Sequence, residues 1–347
     1  MSIITDAVLH AWQSGRKTKT NSKNWVSGNS VCCQHNGESI DKRGRGGLII
    51  DNDNVSYSCF NCQYKASYKA GYHLNHKFKK LLKWLGLSET DIHRLSIEAM
   101  REKNRQELLG IIKVEEPKEE LKVNFKPIPL PDESISFWSL LTFNELNDWK
   151  DTSKHFIDAV EYIDNRKIDM RKYDFYISED AQYKINHRVI IPFTWKNEII
   201  GYSARALNDS ITPKYIQQVD SGYVFNIDKQ EKDWQFVIVS EGIFDALAID
   251  GVAVMKADIT KQQIDIIEGL DREIIVVPDF DKTGSNLVNV AIENGWNVSF
   301  PVWGDKCKDI SEAVAKYGKL FVLKSIIDSV EHSGLKIKLR SRYGSAD

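Results

Sequence analysis

Short alternating runs, then helical periodicity, then a series of compact apolar blocks follow one another along the chain. The run GGLIIDNDNVSYSC sets apolar Leu48 to Ile50 before an Asp-Asn turn and a second β-rich stretch into Cys59, which predicts a hairpin. From His73 to Arg105, the apolar residues Leu74, Phe78, Leu81, Leu82, Trp84 and Leu85 recur at helical spacing, and Ser88 followed by Asp91 offers a fresh N-cap. One or two short helices are expected there. Arg101 to about Ser134 is rich in charge and then in proline, in KPIPLPDES, with LLGII its apolar interruption, and reads as a linker. From about residue 186 the pattern turns to strands: HRVIIPF and NEIIGYSARAL are β-branched runs separated by a Lys-Asn turn, a second hairpin.

Further on, FVIVS, VAVM, EIIVV and NVSFPV are buried-strand candidates separated by helical segments such as IFDALAID and NLVNVAIEN. That alternation predicts βαβ units with a mostly parallel sheet, in which ligands gather at the carboxyl ends of the strands. The fold class is therefore α/β in its last part and α+β over the whole chain. Boundaries are expected at 1–100, 101–134 for the linker, 135–230, 231–330 and 331–347, the last a fraying tail.

A chain of 347 residues with 42% hydrophobic content has room for two or three proper cores. Asp6 and His10 interrupt the apolar start, so it makes a poor signal peptide, and no run approaches a membrane span. A soluble protein of the cytoplasm is expected. The net charge of -2 hides an asymmetry: residues 1–84 hold 13 Lys and Arg against five Asp and Glu, or +8, which leaves -10 for the rest. A basic front end on an acidic body suggests a polyanionic partner, nucleic acid above all; a solvated basic face is the plain alternative. Tyr57, Phe60 and Tyr64 stand among these cations, either as stacking platforms for single-stranded bases or as the small core of this module.

Four of the five cysteines fall within 31 residues. Cys32-x2-His35 and Cys59-x2-Cys62 form two paired knuckles, a spacing that lets each pair converge on one ion. Three thiolates and one imidazole close a tetrahedral zinc site with no position for a reactive water, so one structural Zn2+ is expected. Cys33, His73 and His76 are alternative ligands.

Acidic residues stand where the strands end. FVIVS runs into Glu241-Gly242, EIIVV into Pro278-Asp279-Phe280-Asp281, and the NVSFPV region leads to Lys308-Asp309. Asp279 and Asp281 are two residues apart, so in an extended segment both carboxylates face one side. With Glu241 they offer the hard oxygen ligands that suit Mg2+. Turn-forming aspartates are the plain alternative. DFDKTG resembles the head of an EF-hand loop, but Val290 stands where the bidentate Glu is needed.

The set Ser240-Glu241-Gly242-Ile243-Phe244-Asp245, Asp279-Phe280-Asp281-Lys282-Thr283-Gly284 and Lys308-Asp309 resembles a Toprim domain. HRVIIPF, GYSARAL and PKYIQ resemble the segment that precedes Toprim in DnaG-type DNA primases, and the Cys-His-Cys-Cys ribbon is similar to their zinc-binding domain. The order of parts and the absence of a fused helicase look closest to the separate primase of T4-like bacteriophages. In that light the boundaries above become zinc-binding domain, linker, basic subdomain of the polymerase core, Toprim subdomain and tail.

The resemblance implies a DNA-dependent RNA polymerase that joins ribonucleoside triphosphates into an RNA primer on single-stranded DNA. It implies Glu241, Asp279 and Asp281 as ligands of catalytic Mg2+ or Mn2+, with Asp309 and Asp245 assisting. Arg188, Arg205, Lys214 and Lys282 would bind triphosphate or template phosphates, and a replicative helicase is the implied partner. A non-catalytic nucleic-acid-binding module and a Toprim nuclease are the alternatives.

Overall fold

The computed structural model describes residues 2–21, 24–109, 123–150, 152–178, 185–255, 258–279, 284–304 and 307–343. Among the described residues the chain forms three five-stranded sheets. The first belongs to the front module. Helix α1 (Ile3–Gln13) starts where the Ser2 hydroxyl accepts the Thr5 N–H. It precedes strands β1 (Lys19–Thr20), β2 (Trp25–Gly28), β3 (Gly46–Asp51), β4 (Asn54–Cys59) and β5 (Lys65–Tyr68), antiparallel in that order.

The predicted β3–β4 hairpin turns through Asn52 and Asp53, both at positive φ (46° and 64°), the left-handed pair that matches the twist of the strands. Gly47 lies directly under Trp25: a Cβ there would fall 2.0 Å from the indole Nε1, so only glycine lets the ring lie on the sheet. Helices α2 (His76–Trp84) and α3 (Glu89–Leu108) cover the sheet, and Trp12, Leu48, Tyr57, Phe78, Leu81 and Leu82 fill the core. Helix α3 runs on to Leu108, so the segment expected as linker begins helical.

The second sheet takes β6 (Ser134–Ser136), β7 (Tyr176–Ser178), β8 (Arg188–Trp195), β9 (Glu198–Ala206) and β10 (Tyr215–Val219), all antiparallel, in the order β10-β9-β8-β7-β6. Its β8–β9 hairpin turns at Lys196-Asn197, as the pattern predicts. Helices α4 (Phe137–Leu146) and α5 (Lys154–Asn165) lie in the stretch where no pattern was assigned.

The third sheet is built from β11 (Phe236–Ser240), α6 (Ile243–Ile249), β12 (Val252–Ala253), α7 (Lys261–Glu268), β13 (Glu273–Val276), α8 (Gly284–Asn294), β14 (Asn297–Ser299), α9 (Ile310–Tyr317), α10 (Lys319–Asp328), β15 (Val330–Glu331) and α11 (Gly334–Tyr343). Its order is β12-β11-β13-β14-β15, parallel except for β15. The expected fraying tail is therefore corrected from its start: β15 pairs with β14, and α11 buries Ile337 in the core.

The second and third sheets share one hydrophobic core, in which Phe193, Tyr223 and Phe225 pack with Val237, Val239 and Val276. Phe225 also bridges Ala253 through two backbone hydrogen bonds, fastening the segment after β10 to the edge strand β12. The two sheets are thus joined through one core. The front module has a core of its own and meets this body through polar side chains. Lys80 Nζ lies 2.7 Å from Glu273 Oε1, Ser333 Oγ donates to Glu38 at 3.1 Å, and the His76 N–H reaches Asp271 at 3.5 Å. Glu273 opens β13, so this contact lies at the amino ends of the parallel strands. No described helix is long and apolar enough to cross a membrane.

Both partners of the Lys80–Glu273 pair are largely sheltered from water, which limits solvent screening. Glu273→Ala is expected to loosen the front module without melting the core. Small-angle scattering should show a larger radius of gyration, while the melting temperature of the core moves by less than about 3 °C. An unchanged scattering profile would show that this pair does not hold the module in place.

Candidate metal centre and active site

Four sulfurs, Sγ of Cys32, Cys33, Cys59 and Cys62, lie within 4.8 Å of one another. Two elements bring them there. One is the β4 end with its turn into Cys62, and the other is the loop whose Asp41 carboxylate accepts the N–H groups of Ser30, Arg43 and Arg45 at 2.7–2.8 Å. The closest approaches are 3.2 Å for Cys32–Cys62 and 3.5 Å for Cys33–Cys59. A zinc–sulfur tetrahedron has edges of roughly 3.8 Å, so one ion draws these atoms into place with little movement.

Each sulfur has a neutral polar neighbour. Ser30 and Tyr57 hydroxyls stand at Cys32 (3.0 and 3.3 Å), the Asn61 side chain at Cys33, the Asn61 N–H at Cys59 and the Asn36 amide at Cys62. Such a ring of donors is what thiolates on a metal need. Without metal the sulfurs compete for protons: hydrogen bonds from Cys32 and Cys62 hold Cys59 well below the usual thiol range, and Cys32 is pushed up to about 11 by its bond to Cys59. The donor set fits a structural Zn2+.

Three of the four expected ligands are in this cluster, and the fourth place belongs to Cys33 in place of His35. After Cys33 the chain makes a single 3-10 turn, Gln34–Asn36, which carries the His35 imidazole onto Trp84 of α2, stacked 4.9 Å apart and within 3° of parallel. His76 lies against Glu273, away from the sulfurs. Tyr57 and Tyr64 pack into the module core, whereas Phe60 is 69% exposed beside Trp25. Phe60 is the ring left for stacking.

Register places the acidic residues at one rim. Val239 of β11 pairs with Val276 of β13, so Glu241 and Pro278 stand level, and Asp279 follows one residue on. Beyond Glu241, Gly242 caps α6. A Cβ at Gly242 would come within 2.2 Å of Asp245 Oδ2, so the glycine is what lets that carboxylate fold back under the helix end. Asp245 is 6% exposed and its Oδ1 accepts the Ser311 N–H at 2.8 Å, joining the starts of α6 and α9. Asp309 caps α9 by accepting the Glu312 N–H at 2.7 Å, and Glu312 turns back to the Lys308 N–H.

Burial and the neighbouring charges of Asp309 and Asp279 push the Asp245 carboxyl up to about 8. Burial also raises Asp309, and Arg166 and Lys214 pull it back down. Among the described residues the cysteines are the one group of three or more ligand side chains that lie within 4.8 Å of one another. The hard oxygens of the rim carboxylates fit Mg2+ or Mn2+ in kind. Asp281 and Lys282 lie outside the described residues.

Across the cleft, Lys214 is exposed and close enough to Asp309 to act on its charge. Arg205 is buried, donates from Nε to the Tyr162 hydroxyl at 2.7 Å, and lies 4.6 Å from the Tyr215 ring. Arg188 lies in a different setting. It is fully buried, and its guanidinium donates to the carbonyls of Ala204, Pro213 and Lys214. These bonds tie the β9–β10 connection to β8. Arg166 was missed. Its guanidinium carbon sits 3.7 Å over the Tyr162 ring, and the i, i+4 spacing of Tyr162 and Arg166 on α5 was the available signal.

No protein-family model matches the chain, and no curated protein sequence matches it. Solved structures do. The chain is similar to the RNA polymerase domain of Mycobacterium tuberculosis primase DnaG, at 17% identity over 60% of this chain and 86% of that one, with a TM-score of 0.46. It is similar to the E. coli primase catalytic core (16%, 61% and 85%, 0.44). The zinc-binding and RNA polymerase domains of Aquifex aeolicus primase give 17% identity over 95% of this chain and 86% of that one, with a TM-score of 0.36.

Two outcomes are expected here. Zinc content measured after purification should be lost in Cys33→Ser and kept in His35→Ala; the reverse would return the fourth ligand place to the histidine. Without added Mg2+, Asp245 keeps its proton in the folded state up to about pH 8, whereas an unfolded Asp releases it near pH ~4. The folded state binds more protons between those values, so stability falls as pH rises through that window. Asp245→Asn keeps the acceptor oxygen and removes the slope. Urea unfolding should show the variant more stable by on the order of 1–3 kcal/mol at pH 8.5 and equal at pH 4; parallel pH profiles would refute the buried proton.

Proposed function

We propose that the chain is a DNA primase of the DnaG type, which synthesises short RNA primers from ribonucleoside triphosphates on a single-stranded DNA template. The observation that carries this reading is the pairing, on two sheets that share one core, of an acidic rim, Glu241, Asp245, Asp279 and Asp309, with the cations Arg166, Arg205 and Lys214. Carboxylates alone repel a triphosphate, and cations alone do not activate a hydroxyl. Together they suit nucleotidyl transfer.

Mg2+ or Mn2+ bound by Glu241, Asp279 and Asp281 would supply neutralising charge at the polyphosphate and lower the pKa of the attacking 3′-hydroxyl. Glu241 is the rim residue suited to accept the hydroxyl proton, and Asp309 and Asp245 shape the field around it. Asp245 also fixes α6 against α9 through Ser311. Arg166, Arg205 and Lys214 would orient the triphosphate, and Lys282 is assigned to the same role by sequence resemblance. The basic front module with its structural Zn2+ would hold template DNA, with Phe60 as a stacking surface and Arg43, Arg45 and Lys65 along the phosphates. The order of parts fits the separate primase of T4-like phages, with a replicative helicase as the partner that the resemblance implies.

The test is RNA synthesis on defined single-stranded templates with all four ribonucleoside triphosphates. Product should require Mg2+ or Mn2+, and Glu241→Ala or Asp279→Ala should lower it at least ~100-fold while leaving binding of single-stranded DNA within about threefold of the parent. Absence of any product with intact DNA binding would favour a non-catalytic module, and cleavage of the template a nuclease.

A further inference from the structure

Tyr162 holds two guanidinium groups. Arg166 lies over its face, 3.7 Å from the ring centroid, and Arg205 donates Nε–H to its hydroxyl at 2.7 Å. Phe244 of α6, the residue before Asp245, packs edge-on to the same ring at 5.6 Å and lies 5.3 Å from the Arg166 guanidinium. Tyr215 closes the far side of Arg205 at 4.6 Å. The result is a ladder of alternating rings and cations that runs from the acidic helix α6 through α5 to β9 and β10.

Two features of this ladder need explaining. Two guanidinia meet one ring, and Arg188 lies close enough to Arg205 to feel its charge, so cations are concentrated here and an anion would be attracted. Arg205 Nη1 is also buried and has no hydrogen-bond partner among the described residues, although a buried guanidinium N–H normally has one. With Nε fixed by the tyrosine hydroxyl, the rest of the fork is held in one orientation, as bidentate recognition of a phosphate requires.

Resting on the primase reading, we infer that Tyr162 is a positioning residue for the triphosphate: its ring face sets Arg166, and its hydroxyl sets Arg205, so that the two guanidinia grip neighbouring phosphate groups. Tyr162 itself touches no substrate. Loss of the hydroxyl should therefore weaken the seat while the chemical step, run by the acidic rim, proceeds once substrate is bound.

The test uses the full chain, Tyr162→Phe and Tyr162→Leu. Template-directed synthesis gives KM for the triphosphate and kcat, and titration with inorganic tripolyphosphate in the absence of template gives anion affinity. Tyr162→Phe keeps the ring and should fold with an unchanged melting temperature, raise KM about tenfold, weaken tripolyphosphate by a similar factor and change kcat less than threefold. Tyr162→Leu removes both supports and should weaken binding further. If Tyr162→Phe binds tripolyphosphate and triphosphate as the parent does, or loses kcat with KM unchanged, the positioning role is wrong. If the parent makes no RNA yet Tyr162→Phe still loses tripolyphosphate, the primase reading fails and the seat stands. If the parent makes RNA and neither constant moves, the seat fails and the primase reading stands.

Discussion

One hydrogen bond, from the Ser311 N–H to the buried carboxyl of Asp245, fixes the acidic rim. It joins the starts of α6 and α9, which follow Glu241 and Asp309 respectively, and so holds acids from distant parts of the chain near one another. Its cost is the burial of a carboxyl beside two others. The metal-free protein meets that cost by keeping Asp245 protonated. Gly242 is the sequence feature that permits the arrangement, because any side chain there would collide with the Asp245 oxygen. A single glycine thus couples the turn out of β11 to the electrostatics of the rim.

The cysteine cluster and the acidic rim differ in the same physical terms. Soft sulfurs lie closely packed, sheltered and ringed by neutral donors, which leaves no open position and suits an ion that only holds the fold. Hard oxygens gather at the strand ends, under the influence of Arg166 and Lys214. A site of that kind would accept metal together with a polyanion more readily than metal alone, since nearby cations repel a bare ion and attract its phosphate ligand. The rim and the cations near it keep their places because Phe193, Tyr223 and Phe225 join the two sheets in a single core.

Much of this was legible in the sequence where one period governs a segment. Both hairpins, the parallel sheet and the acids at its strand ends follow from short apolar blocks with turn residues between them. Helix α4 escaped because Phe137, Trp138, Leu140, Leu141 and Phe143 are apolar on every side, which erases the contrast that marks an amphipathic helix. The tail escaped because its lysines and arginines outweigh the single core contact of Ile337. Spacing rules favoured His35 over Cys33, but a 3-10 turn and the flat face of Trp84 decided otherwise. Arg188 shows what a sequence leaves out: residue type and position suggest a phosphate ligand, and packing adds that backbone carbonyls accept from its guanidinium.

Strand β13 carries Glu273 at one end and leads to Asp279 beyond the other. It is a spacer of fixed length. Six residues of nearly extended chain span roughly 20 Å, and the front module grips the end remote from the rim. Any ligand that bridged the module and the carboxylates would have to cover at least this distance, so the dimensions of one short strand set the reach between them.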